Sequence, residues 1–190
     1  MKTFISMLRG VNVSGQNKIR MPELKGIYES LNLANVVTYI QSGNVLFNSA
    51  EQDPGPLAKA IEAEIARSFG TPVQVFLRDK NHFQQIIDGN PFVHQRNEDP
   101  EKLHVTFLSN LPSEPALSNL LLQADLKRSG AANSDEYLII GKEIYLFCPK
   151  GYGRTKFSNS FFERKLSVSA TTRNWKTVNA LYEMANKRRP

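Results

Sequence analysis

The sequence predicts an α+β protein of two tandem halves, each ordered β-α-β-β-α-β, with an extra C-terminal helix. Two observations carry this. Strand-length apolar runs alternate with helix-length apolar stripes, and the order repeats. Each half also closes a hairpin on a glycine turn, Gln41-Ser42-Gly43-Asn44 in the first and Gly141-Lys142 in the second. That order is the ferredoxin-like plan. At 190 residues the chain holds one large domain or two small ones.

Residues 4–8 form a compact apolar run, read as a buried strand. A polar loop covers 10–20. Pro22 suits the first turn of a helix whose face is Leu24, Ile27, Tyr28 and Leu31. Runs 36–40 and 45–47 are rich in β-formers and flank the first hairpin turn. Asp53-Pro54 opens a helix with Leu57, Ile61, Ile65 and Phe69 in one stripe, and Gly70 ends it. Residues 73–77 complete the first half as a strand. A short helix with Phe83, Ile86 and Ile87 then stops at Gly89-Asn90-Pro91.

The polar stretch 93–102 reads as a linker. Beyond it, 103–108 is a strand, and Ser113 caps a helix carrying Leu117, Leu120, Leu121 and Ala124. Runs 137–140 and 144–148 flank the second turn. Phe161, Phe162 and Leu166 mark a helix, and 168–171 reads as the last strand. Trp175, Val178, Leu181, Tyr182 and Ala185 form the final helical stripe. The expected divisions are 1–78 for the first half, 79–102 for a helix and polar linker, 103–171 for the second half, and 172–190 for a C-terminal helix and basic tail. The halves match in element order and not in residue identity.

Several segments resemble one family. They are Leu8-Arg9-Gly10-Val11-Asn12-Val13, Tyr39-Ile40-Gln41-Ser42-Gly43-Asn44-Val45, Asn90-Pro91-Phe92, Lys102-Leu103-His104-Val105-Thr106-Phe107, Gly153-Arg154-Thr155-Lys156 and Ala170-Thr171-Thr172-Arg173-Asn174-Trp175. The chain resembles bacterial proteins classed as domain of unknown function 1697, along nearly its full length and in the same order. The resemblance implies an α+β fold of two ferredoxin-like halves and implies no activity. Two loops depart mildly from the family: Ser14-Gly15 stands in place of Gly-Gly, and Lys150-Gly151-Tyr152-Gly153 in place of a Gly-Ile-Gly-like turn.

Charge is unevenly placed. Residues 150–190 hold ten Lys or Arg against two acids, a net of +8 within a chain of net +6. This points to an anionic partner, a nucleic acid or a phosphorylated small molecule. No apolar run reaches the ~18 residues of a membrane span. The N-terminus has no small-residue cleavage site. The lone Cys148 allows no intrachain disulfide, and the expected location is the cytoplasm.

The loop Gly10-Val11-Asn12-Val13-Ser14-Gly15 sits where a phosphate loop would, between strand and helix. The Walker pattern needs Lys and a hydroxyl straight after the second glycine, and Gln16-Asn17 stand there instead. The glycine spacing also fails the dinucleotide fingerprint. A surface loop in which Asn12, Ser14 and Asn17 satisfy their own backbone is the plain alternative to a ligand loop. An RNA-recognition motif fits the element order but not the sheet: 42–47 offers one aromatic and no leading cation.

Cations stand unusually close to helix starts. A helix N-terminus is partly positive and mildly disfavours them. Yet Lys18 and Arg20 precede the helix at Pro22, Arg154 and Lys156 precede the one near Ser158, and Arg173 is placed at the start of the last, beside Thr171 and Thr172. Cations, hydroxyls and helix starts are the parts of an anion site. The expected ligand set is Arg9, Asn12, Lys18, Arg154, Lys156, Thr172 and Arg173 at the junction of the halves. Gln41, Ser42 and Asn44 would add neutral hydrogen bonds. Separately solvated charges and an ordinary hairpin turn are the plain alternatives.

No catalytic constellation stands out. His82, His94 and His104 do not fall in a zinc spacing, and no metal or cofactor is expected. His104 reads as a buried or surface strand histidine, or less simply as a base. Cys148 reads as a buried inert thiol. Glu62 and Glu64 point in different directions on their helix. Trp175 reads as core or as a pocket wall, and Lys187-Arg188-Arg189 as a solvated helix end. Two other readings remain beside anion binding. One is a small-molecule enzyme with a site shared by both halves. The other is a protein-interaction module.

Overall fold

The computed structural model describes residues 1–13, 18–126 and 134–188, with side chains throughout those spans except 123–126. The expectations for Ser14, Gly15 and Asn17, for the side chain of Ala124 and for Arg189 fall outside this description. The chain groups into two compact units. One is Met1–Ile87 with the chain from Asn179 onward, and the other is Asp88–Val178.

The first unit contains β1 (Lys2–Leu8), α1 (Met21–Ser30), β2 (Ala34–Tyr39), β3 (Asn44–Ser49), α2 (Pro54–Phe69), β4 (Val75–Asp79) and α3 (Lys80–Asp88). Its strands form one antiparallel sheet in the order β2-β3-β1-β4. Strand side chains alternate between faces. On one face Phe4, Leu8, Val45, Phe47, Val75 and Leu77 meet the stripes Leu24, Ile27 and Tyr28 of α1 and Leu57, Ile61 and Ile65 of α2. Each such burial stabilises by roughly 1.5–3 kcal/mol relative to exposure. Asp53 caps α2 by accepting from Gly55 N at 2.8 Å, and Gly70 ends it at φ 69°. The first-half strands, stripes and turn follow the expected pattern.

The second unit contains α4 (Pro91–His94), a 3-10 turn Pro100–Lys102, β5 (Leu103–Leu108), α5 (Glu114–Leu126), β6 (Glu136–Ile140), β7 (Glu143–Phe147), a 3-10 turn Tyr152–Arg154, α6 (Asn159–Leu166), β8 (Ala170–Asn174) and the first turn of α7 (Trp175–Asn186). The sheet order is β6-β7-β5-β8, again antiparallel. Its helix-covered core is built on Leu108, Ile144, Leu146 and Ala170, with Leu120, Phe157, Phe162 and Leu166 against them.

The two units repeat each other below the level of element order. Leu8 N donates to Gly43 O (2.9 Å), and Leu108 N to Lys142 O (2.8 Å). Glu62 of α2 accepts from Val75 N, the first residue of β4, at 2.8 Å. Glu163 of α6 accepts from Ala170 N, the first of β8, at 2.9 Å. Asp79 caps α3 through His82 N (2.8 Å), and Asn174 caps α7 through Thr177 N (2.7 Å). Arg78 lies opposite Ile5 and Arg173 opposite Val105, at the same step of β4 and β8. So the halves share residue identity at an Arg and a Glu, contrary to the expectation. The helix beyond the second half has a counterpart in the first, because α7 follows β8 as α3 follows β4.

Three local expectations are corrected. The last strand runs through Arg173 to Asn174, so Arg173 is not at a helix start. The threonines and arginine continue the ladder to β5, and Asn174 supplies the cap. Leu121 is half-exposed, because α5 buries Leu120 instead. The segment read as a linker is ordered: Asn90 caps α4, Asp99 caps the 3-10 turn, and Arg96 bridges Glu98 (2.6 Å) and Glu136 (2.7 Å). No helix among the described residues is long and apolar enough to cross a membrane.

Candidate anion-binding loops

At the end of β1 two loops are tied by one side chain. Asn12 takes the left-handed conformation at φ 56°, which asparagine tolerates better than most residues. Its Nδ2 donates to Ile19 O and to Gln41 O, both at 2.8 Å, and its Oδ1 accepts from Ile19 N at 3.0 Å. Both amide hydrogens are therefore spent on backbone, and Asn12 is a clamp rather than a ligand contact. Asn44 is likewise committed: fully buried, it donates to Tyr39 O (3.1 Å) and to Ser42 Oγ (2.9 Å). Gly43 passes so close to Leu8 that a Cβ would sit 2.9 Å from the Leu8 Cβ.

The clamp sets the exposed Gln41 and the part-buried Ser42 beside the 18–20 segment. Lys18 and Arg20 are exposed there, and Arg9 is half-buried at the loop's start. Arg20 occupies the N-cap position of α1 with no side-chain cap. The first turn of α1 therefore presents backbone N–H groups beside two cations.

The second group lies on the 3-10 turn, α6 and β8. Thr172 Oγ1 lies 2.7 Å from Thr106 Oγ1, accepts from Tyr152 Oη at 3.0 Å and donates to Asn159 Oδ1 at 2.6 Å. Its single proton goes to Asn159, so Thr106 must be a donor to it. Tyr152 in turn accepts from Asn159 N–H, and Ser158 caps Phe161 N at 3.3 Å. The start of α6 is thus largely satisfied from within. Arg154 and Lys156 are exposed on this segment, with Lys156 Nζ 5.3 Å from the Phe157 ring centroid. Arg173 is 8 % exposed and donates to Thr171 Oγ1 (2.9 Å) and Thr172 O (3.0 Å). Burial pulls its guanidinium down to about 10, still charged at neutral pH.

Of the ten expected contact residues, Arg9, Asn12, Lys18, Gln41, Ser42 and Asn44 gather at the C-terminal end of β1. Arg154 and Lys156 are exposed on the segment that follows β7, beside the N-terminal end of β5, and Thr172 and Arg173 both lie in the adjoining strand β8. The two groups occupy non-equivalent ends of their sheets.

Sequence reasoning missed the polar cluster around His104. The ring stacks on Tyr152 with centroids 4.9 Å apart. Its Nδ1 is buried with no hydrogen-bond partner. Burial pushes its pKa below the ordinary histidine value, opposed by a hydrogen bond with the Lys102 backbone. The available signal was strand parity: His104 and Thr106 share the face that receives Thr172. Burial raises the Cys148 thiol to about 11, so it carries no thiolate near neutrality. Among the described residues no three His, Cys, Asp or Glu side chains are placed to hold a metal.

Comparison with known proteins gives a family and a fold. No curated protein matches the chain. Among solved structures, a conserved bacterial protein of Streptococcus pneumoniae superposes with a TM-score of 0.72 at 22% identity, covering 98% of this chain and 99% of that one. At that identity the likeness concerns the fold. The model of the family described as protein of unknown function (DUF1697) matches residues 1–145, and the chain belongs to that family.

Proposed function

We propose that the first unit binds a phosphate-bearing ligand, a nucleic acid or a nucleotide-like molecule, at the clamped loops after β1. Arg9, Lys18 and Arg20 supply the charge, and Gln41 and Ser42 the neutral hydrogen bonds. The observation that carries the reading is the Asn12 clamp, which holds the turn against a segment placing two exposed cations before an uncapped helix. Cations there are unfavourable by typically about 0.3–1 kcal/mol, and an anion relieves that. Asn12, Asn44, Thr172 and Arg173 pass from ligand contacts to framework in this reading. Arg154 and Lys156 remain as a separate exposed pair. We read each unit as ferredoxin-like, supported by the β2-β3-β1-β4 strand order, and the protein as cytoplasmic and bacterial. Binding is favoured over catalysis because His104 is buried against the Tyr152 ring and burial keeps the Cys148 thiol protonated.

The test is fluorescence anisotropy with labelled ATP and with a short single-stranded RNA, across salt. Removal of Lys18 or Arg20 by alanine should weaken binding about tenfold, and three phosphate contacts should give a log-log salt slope near about −2. Melting temperature should hold, since both side chains are exposed. Unchanged affinity in both variants would sink the proposal. A loss in Arg154→Ala alone would move the site to the 150–156 segment.

A further inference from the structure

Each sheet ends in an equivalent strand, β2 or β6, paired on one side only among the described residues. Such an edge offers a row of backbone N–H and C=O groups, and proteins usually blunt it. β2 is blunted: its register shifts between Ala34 and Val37, with Asn35 at φ 54°. β6 is not. It pairs with β7 in unbroken register from Glu136 to Ile140, without Pro, Gly or Lys. Tyr137 and Ile139 pack toward the unit's own core, while Leu138 and Ile140 on the other face are 46 % and 50 % exposed.

Ladder polarity says which backbone groups face outward. Ile140 and Glu143 flank a two-residue turn, so they exchange hydrogen bonds across the hairpin. Alternate residues share that orientation. Ile139, opposite Ile144, therefore turns its N–H and C=O away from β7 toward the edge.

We propose that β6 pairs antiparallel with β6 of a second copy of this chain, about a two-fold axis at Ile139. Ile139 then faces its own counterpart, Tyr137 faces Gly141, and the exposed Leu138 faces the exposed Ile140. Glu136 faces Lys142, so opposite charges meet at both ends. Shifting the axis to Leu138 would set Glu136 against Ile140, losing the charge match, and would centre the pair on a residue whose N–H and C=O already face β7. The self-complementary register singles out a second copy over an unrelated strand. Arg96 holds Glu136 at 2.7 Å in each chain and fixes the carboxylate that the partner's lysine would meet. The pairing joins two four-stranded sheets into one of eight.

Sedimentation equilibrium on the full chain tests this, independently of ligand binding. The wild type should show a reversible monomer–dimer equilibrium. Glu136→Lys and Lys142→Glu each set like charges opposite, and each acts twice in a two-fold interface. Either should weaken the dimer about tenfold. The double variant Glu136→Lys/Lys142→Glu restores opposite signs and should recover most of that loss. Leu138→Lys should weaken the dimer while the monomer keeps its melting temperature. A monomer at every concentration overturns the proposal. So does a dimer indifferent to all four variants, or a monomer that instead takes up an added extended peptide at β6.

Discussion

A histidine ring buried against Tyr152, with Nδ1 meeting no partner, resists protonation. His104 therefore titrates below the ordinary value of 6.5 in the folded chain. As pH falls below that value, the unfolded chain takes up a proton that the folded chain refuses, so this group's contribution to stability falls with pH. His104→Phe keeps a ring on Tyr152 and removes the titration. Melting curves from pH 7.5 to 5 should fall less steeply for His104→Phe than for wild type; parallel curves would show that His104 protonates freely. Thr172 makes a second residue-scale prediction. Thr172→Val strands the hydroxyls of Thr106 and Tyr152 and the Asn159 carbonyl, and should cost about 1–3 kcal/mol in urea unfolding. The role of Asn12 was half legible, since asparagine in a polar loop bonds nearby backbone. The Thr172 network was not, because Thr106 lies 66 residues away and only strand pairing brings it close.

Two left-handed glycines separate steric need from conformational need at the level of elements. Gly70 closes α2 at φ 69° with nothing within 4 Å of a would-be Cβ. Gly43 sits at φ 71° with Leu8 Cβ at 2.9 Å and Val11 Cβ at 3.3 Å. Gly70→Ala should cost about 1 kcal/mol, the left-handed penalty alone. Gly43→Ala adds a clash with backbone-anchored atoms in the turn that Asn12 holds, and should cost clearly more. Equal melting temperatures for the two variants would remove Gly43 from its close-packing role. These turns, the strands around them and the stripes of α1 and α2 were legible because local pattern and tertiary burial agree. They disagree at α5 and β8. In α5 leucines occupy several sides, so periodicity does not choose Leu120 over Leu121. In β8 the run Thr171-Thr172-Arg173-Asn174 suits both a strand and a helix entry, and only the ladder to β5 decides.

For the whole molecule the informative pair is Arg78 and Arg173, 4 % and 8 % exposed at the same step of the two units' last strands. Each donates to the carbonyl of the residue before it, Leu77 or Thr172, at 3.0 Å. A repeat legible in sequence only as element order thus preserves a buried cation, a costly group to keep in the interior without function in the fold. The C-terminal charge excess consequently mixes two populations. Arg173 is framework, and Arg188 is half-buried with its pKa lowered by burial, whereas Lys150, Arg154 and Lys156 face solvent. Arg78→Met and Arg173→Met keep volume and remove the charged hydrogen bonds, so each should lose about 2–3 kcal/mol in urea unfolding. Arg154→Ala, exposed, should stay within about 0.5 kcal/mol of wild type. A duplicated structural role requires the two buried variants to fall together. If Arg173→Met alone holds its stability while Arg78→Met unfolds early, the second-unit arginine is kept for something other than the fold.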